Sequence, residues 1–111
     1  MPKVYAPQQP SKFDQSTKLW IPTMDLTPAE AFGELIIILP NGVSRMQTAP
    51  LVTVIKEKMQ DYRHEDWLLC VGDPSLIAAA ACVAAKTTGG ILRLLKWDKR
   101  LASYTSTEMK V

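Results

Sequence analysis

Two segments of this chain have the residue types to do chemistry: Asn41-Gly42-Val43-Ser44-Arg45 and Gly72-Asp73-Pro74-Ser75. Each follows an apolar run, residues 35–39 and 67–71, that reads as a buried strand. In a parallel sheet both loops lie at the same end, where ligands of such folds gather. Together they supply backbone amides, two hydroxyls, one carboxylate and one guanidinium. Helix N-termini favour anions, so a phosphate or carboxylate held by Ser44, Arg45 and Ser75, with Asn41, Gly72 and Asp73 completing the site, is the ligand this set suggests. Two arguments oppose it. Asp73 would place its own charge at the helix end, and local turn and cap chemistry accounts for all of these residues without a ligand. Neither a GxGxxG nor a GxxxxGK[ST] pattern is present.

Catalytic groups are sparse. His64 is the single histidine and sits in Arg63-His64-Glu65-Asp66, a polar connector expected at the opposite end of the strands. Glu65 and Asp66 are sequence neighbours, point apart, and make no acid/base pair. Cys70 and Cys82 fall within apolar runs and read as buried thiols, with no neighbours at metal-ligand spacing. The expectation is therefore no catalytic residue, no metal and no cofactor.

A third constellation lies near the C-terminal end. Arg93, Lys96, Trp97, Lys99, Arg100 and Tyr104 interleave cations with aromatics, as a ribbon that binds single-stranded nucleic acid would. The same charges also protect an edge strand from aggregation. Edge protection is the preferred reading, because a pI of about 8.6 falls short of a nucleic-acid footprint.

The elements that must position these residues follow from the pattern. Residues 1–17 are rich in Pro, Gln and Ser and read as an extended or flexible arm, ahead of a single α/β domain over 18–111. Residues 18–24 suit a short strand that Pro22 confines to an edge. Thr27-Pro28-Ala29-Glu30 resembles a capping box of a helix that Gly33 keeps short. A strand over 34–39 is apolar on both faces, as in a covered parallel strand. A helix follows from Thr48 to about Tyr62, with Leu51, Ile55, Met59 and Tyr62 on one face. Next come the strand from Trp67, a helix from Pro74 to about Thr87 stopped by Gly89-Gly90, and a strand over 91–97. Residues 101–109 fold back against that last strand. The fold class is α/β: a small mixed, mainly parallel sheet of about four to five strands, built from a β-α-β-α-β unit with a C-terminal β-hairpin.

Bulk properties bound the function loosely. The chain has 111 residues, is 47% hydrophobic and 22% charged, and carries a net charge of +2, ordinary values for one globular domain. No apolar run approaches the length of a membrane span, and no signal-peptide pattern opens the sequence, so the expectation is a cytoplasmic protein with no membrane partner. The helix over 76–85 is apolar nearly all round and must be covered, either by the N-terminal arm or by a second subunit, which makes a homo-oligomer the expected assembly.

Val71-Gly72-Asp73-Pro74, an alanine-rich helix, Gly89-Gly90 and Leu95-Lys96-Trp97-Asp98-Lys99 with Tyr104 downstream resemble small uncharacterised proteins of tailed, mainly marine, bacteriophages. The resemblance covers about the last forty residues. It implies a phage accessory protein in a bacterial host cytoplasm and carries no functional residues. Three readings follow. The first is a non-catalytic, self-associating binding or interaction protein with a protein partner. The second is a nucleic-acid-binding accessory protein, and the third a nucleotide- or phosphometabolite-binding protein or enzyme.

Overall fold

In the computed structural model, residues 1–40 and 48–111 are described. Strand β1 (Lys3–Gln8) pairs in parallel with β4 (Glu34–Leu39) on one side and β5 (Trp67–Leu69) on the other. Strands β6 (Ile91–Asp98) and β7 (Ser103–Lys110) complete a five-stranded sheet of order β4-β1-β5-β6-β7, in which only the β6–β7 pairing is antiparallel. The mainly parallel α/β sheet with a C-terminal antiparallel pair is thus present. A separate two-stranded antiparallel sheet joins β2 (Ser11–Asp14) to β3 (Leu19–Pro22).

The N-terminal residues correct the expectation of an arm. Residues 3–8 are an interior strand, and Val4, Tyr5 and Ala6 are no more than 1% exposed. Proline is ordinarily kept out of central strands, since it cannot donate to the ladder. The sheet accommodates Pro7 because pairing with β5 stops at Tyr5–Leu68, so no ladder bond is asked of it on that side. Residues 11–22 form the hairpin instead. Asp14 makes its turn: Oδ1 accepts from the Ser16 amide at 3.0 Å and hydroxyl at 2.8 Å, and Oδ2 from the Thr17 hydroxyl at 3.0 Å. These hydrogen bonds, the Ser16 hydroxyl first, hold the Asp14 carboxyl below the usual range.

Alternation along the strands divides the core into two layers. On one face, helices α1 (Thr48–Lys58) and α2 (Pro74–Thr88) cover Tyr5, Ile38, Leu68 and Leu92 through Ile55, Leu76, Ala80 and Ala84, with Met59 just past the end of α1. On the other, residues 24–32 cover Val4, Ala6, Leu69, Leu95 and Tyr104 through Met24, Leu26, Ala29 and Phe32. Residues 27–32 of that cover are a 3-10 helix with Pro28 in its first turn. Its cap differs from the expected box. Thr27 makes no cap hydrogen bond of its own; its amide and hydroxyl both donate to Asp25 Oδ1.

Two further expectations are revised. As an edge strand, β4 is not covered throughout, and Ile37 is 37% exposed. Helix α2 buries Leu76, Ala80, Val83 and Ala84, but Ala78 and Cys82 face outward, so the arm does not wrap it and Cys82 is exposed. Small alanines make the exposed side cheap to leave in water, which an apolarity count overlooks.

Candidate functional site

The connections that leave the strands set the site. After β1 the chain crosses to the face covered by residues 24–32, whereas after β5 it enters α2 on the opposite face. Neighbouring strands whose exits part in this way open a crevice at their carboxyl ends. Here that crevice lies between Gln8, ending β1, and Gly72-Asp73, which follow β5. A groove of about 390 Å³ lined by Pro10, Ser11, Thr23, Gly72, Asp73 and Pro74 occupies this end.

The Gly72-Asp73-Pro74-Ser75 turn forms as its residues dictate. Gly72 has φ of +102°, in the region that favours glycine. Asp73 is the N-cap and Pro74 opens the helix. Asp73 Oδ1 accepts from the Ser75 amide and from the Ser75 hydroxyl, both at 2.8 Å. A carboxylate therefore already occupies the helix end where an anion was expected, and the Ser75 hydroxyl proton points at it. At the other end of α2, Gly89 adopts the left-handed conformation that stops the helix.

Beside this turn sits a group that the sequence reading passed over. Gln8 is 7% exposed, and its Oε1 accepts no hydrogen bond among the described residues. A side chain placed on Gly72 would bring its Cβ to 3.2 Å from that oxygen and 3.3 Å from Gln8 Cβ. The glycine thus serves the turn and also makes room for Gln8. A polar residue closing an apolar Val-Tyr-Ala-Pro run was the available signal, hidden by assigning the run to an arm.

Asn41, Ser44 and Arg45 lie outside the described residues. The six residues of the basic ribbon do not share one surface. Arg93 lies 3.7 Å over the Trp67 ring and donates from Nη1 to the Glu65 carbonyl at 2.6 Å. Lys96 and Trp97 are consecutive in β6 and project to opposite faces. Trp97 packs edge-on against Tyr104 with centroids 5.0 Å apart, and Tyr104 is buried. Burial, then the charge of Asp25, raises the Tyr104 hydroxyl pKa. Lys99 and Arg100 stand exposed in the turn between β6 and β7.

At the opposite end of the strands, His64 is exposed, as expected. Asp66 is not part of an exposed connector. It is 3% exposed and accepts the Lys3 amide at 2.8 Å and the Arg63 amide at 2.9 Å. Tyr62 donates to the Asp66 carbonyl at 3.2 Å, and burial reinforced by the Asp66 charge pushes its hydroxyl far above the usual tyrosine range. Cys70 is half-buried, and desolvation raises its thiol pKa against a smaller opposing pull from Lys96.

Among the described residues, no group of three or more His, Cys, Asp or Glu side chains could hold a metal ion. No helix among them is long and apolar enough to cross a membrane.

A family model described as Phage Pam3 gp32-like protein matches residues 2–111. The match extends the resemblance from the last forty residues to nearly the whole chain. No curated protein matches the chain, and no solved structure does.

Proposed function

We propose that this chain, which belongs to the Phage Pam3 gp32-like protein family, works as a non-catalytic interaction module and assembles with a second copy of itself through the β2–β3 hairpin. The observation that carries this reading is the hairpin's surface. Phe13, Leu19, Trp20 and Ile21 are 39%, 63%, 42% and 39% exposed, on an element that pairs with no other strand among the described residues. A lone two-stranded ribbon is marginal in water, and this one carries apolar side chains on both faces, Phe13 and Trp20 on one and Leu19 and Ile21 on the other. Phe13 and Trp20 pair across the ribbon with centroids 5.4 Å apart, a rigid aromatic anchor of the kind interfaces favour.

Self-association fits better here than along α2, whose outward residues Ala78 and Cys82 are small. An isologous contact places the same patch on both subunits, so one hairpin supplies both halves of the interface. The hairpin's charges, Lys12, Asp14 and Lys18, are of mixed sign and leave the patch without strong like-charge repulsion.

Light scattering across a hundredfold dilution tests the proposal. The expected mass is about twice the 12.3 kDa of the chain, falling toward that value on dilution. The double variant Leu19→Ser with Trp20→Ser should stay at 12.3 kDa with an unchanged circular dichroism spectrum. A wild-type monomer at every concentration overturns the reading, as does a dimer that the double variant leaves intact.

A further inference from the structure

We infer that the outer edge of β4 takes an added strand from a partner, an extended peptide with alternating apolar residues and a basic side chain at the end that meets Glu34. Three observations carry this, none of them on the hairpin. The first is the edge itself. β4 ends the five-stranded sheet, and no strand among the described residues pairs with its outer side. The Glu34 amide donates inward to the Pro2 carbonyl at 3.1 Å. Backbone groups turn alternately to the two sides of a strand, so Glu34 and Ile36 bond to β1 while Leu35 and Ile37 turn their amides and carbonyls outward. The second is a lack of protection. Edge strands are usually blunted by charge, proline or a bulge. β7, at the opposite edge, follows that rule with Glu108 and Lys110 among serines and threonines. β4 reads Glu-Leu-Ile-Ile-Ile-Leu, holds a constant register with β1 and leaves Ile37 37% exposed, on the same face as Leu35.

The third is charge, which chooses the occupant. At the amino end of β4 lies a cavity of about 600 Å³, lined by Glu30, Phe32, Glu34 and Leu35 with Pro2. Glu30 and Glu34 are exposed and form no ion pair among the described residues. Lys3 stands beside Glu34 in the register but lines a separate cavity, shared with Arg63 and the carboxylates of Asp61, Glu65 and Asp66. Even with a terminal ammonium at Met1 counted, the wall of the first cavity keeps a net negative charge. A lysine or arginine stem can lie over Phe32 and Leu35 with its head at the two carboxylates, as long cationic side chains do. A second copy of β4 does not match this wall, since the strand carries no cation. Paired antiparallel it would set an apolar end beside Glu34, and paired parallel it would bring another glutamate. Main-chain hydrogen bonds to Leu35 and Ile37 supply the affinity for a basic peptide, and the acidic cavity supplies the selectivity.

The test uses the full chain and end-blocked peptides: Lys-Thr-Val-Thr-Val-Thr, the reversed sequence, and both with glutamate in place of lysine. Amide resonances and their exchange with deuterium are followed by NMR. One basic peptide should shift the Leu35 and Ile37 amides saturably and slow their exchange, and the order that binds reports whether the added strand runs parallel or antiparallel. Its glutamate counterpart should bind about tenfold or more weakly, because like charges then meet. The double variant Glu30→Gln with Glu34→Gln should weaken the basic peptide by about three- to tenfold. Ile37→Pro removes an outward amide without touching the pairing to β1, and should stop binding while the rest of the sheet keeps its spectrum. The inference is overturned if neither basic peptide moves Leu35 and Ile37 at millimolar concentration, if the glutamate peptides bind as tightly, or if the double glutamine variant binds undiminished. Exchange at Ile37 that is slow in the free chain and quickens on dilution would identify a second copy on this edge and overturn it too. Binding should persist in the hairpin variant Leu19→Ser with Trp20→Ser, whatever its assembly; loss there would place the peptide on the hairpin and overturn the inference.

Discussion

Replacing Asp66 with alanine should cost more stability than any surface change in this chain. The carboxylate accepts two backbone amides from separate parts of the structure, Lys3 at 2.8 Å and Arg63 at 2.9 Å, and is 3% exposed. Hydrogen bonds to a charged group contribute about 1.5–3 kcal/mol each, and a donor left unsatisfied in a buried site loses its full desolvation cost. Two such bonds give about 3–6 kcal/mol for Asp66→Ala, against a total stability of about 5–15 kcal/mol for an ordinary domain. At about 4 °C per kcal/mol, the melting temperature should fall by about 12–24 °C. Asp66→Asn retains the shape and one oxygen but turns an amide group toward one of the two donors, so about half of that loss is expected. Urea titration of wild type and both variants measures the differences, and native-state hydrogen exchange at the Lys3 amide localises them. A loss below about 0.5 kcal/mol for Asp66→Ala, the level of a neutral surface change, would refute the assignment of Asp66 as the clamp on β1.

Other outcomes follow from the same geometry. Gly72→Val should destabilise by roughly 1–3 kcal/mol or more, because φ of +102° strains any β-branched residue and the new side chain meets Gln8. Asp73→Ala should cost about 1 kcal/mol, the usual value of a lost N-cap, so the two variants should melt in that order. A thiol reagent at neutral pH should label Cys82 rapidly and Cys70 slowly, since Cys82 is exposed whereas Cys70 is half-buried with its pKa raised by desolvation. Peptide mapping of partly labelled protein reads this directly. Arg93→Lys should cost about 1–2 kcal/mol in chemical denaturation, losing the stack on Trp67 and the bond to the Glu65 carbonyl, and should alter Trp67 fluorescence.

Local signals made much of the framework readable. Asp73, Pro74 and Gly89 mark both ends of α2 by chemistry that acts within a few residues. The apolar run of β4 and the spacing of Ile55, Met59 and Tyr62 likewise report burial that the structure contains. What was hidden depends on distant partners. Residues 3–8 look like an arm because their proline and short length carry no trace of β4 and β5, thirty and sixty residues away. Asp66 looks like an exposed connector because the Lys3 amide that it accepts is far off in sequence. Arg93 reads as a free surface cation until Trp67 is brought beneath it. At the candidate site the turn was legible and Gln8 was not, because it closes a strand that had not been recognised.

The interior place of β1 has a consequence for the order in which the protein acquires its shape. Both neighbours of this strand are synthesised after it, and the second arrives about sixty residues later, roughly 3–12 s at ordinary elongation rates. Throughout that interval Val4, Tyr5 and Ala6 have no sheet to enter. The helical half can condense from contacts closer in sequence, since α1, β5, α2 and β6 follow one another. Closing β1 between β4 and β5 then becomes the step of highest loop entropy, and such non-local pairings set slow folding rates. Refolding should therefore show helix formation ahead of protection at the Tyr5 amide. The early species exposes two unpaired strand edges in the middle of what becomes a continuous sheet, and those edges are its point of exposure to misassembly.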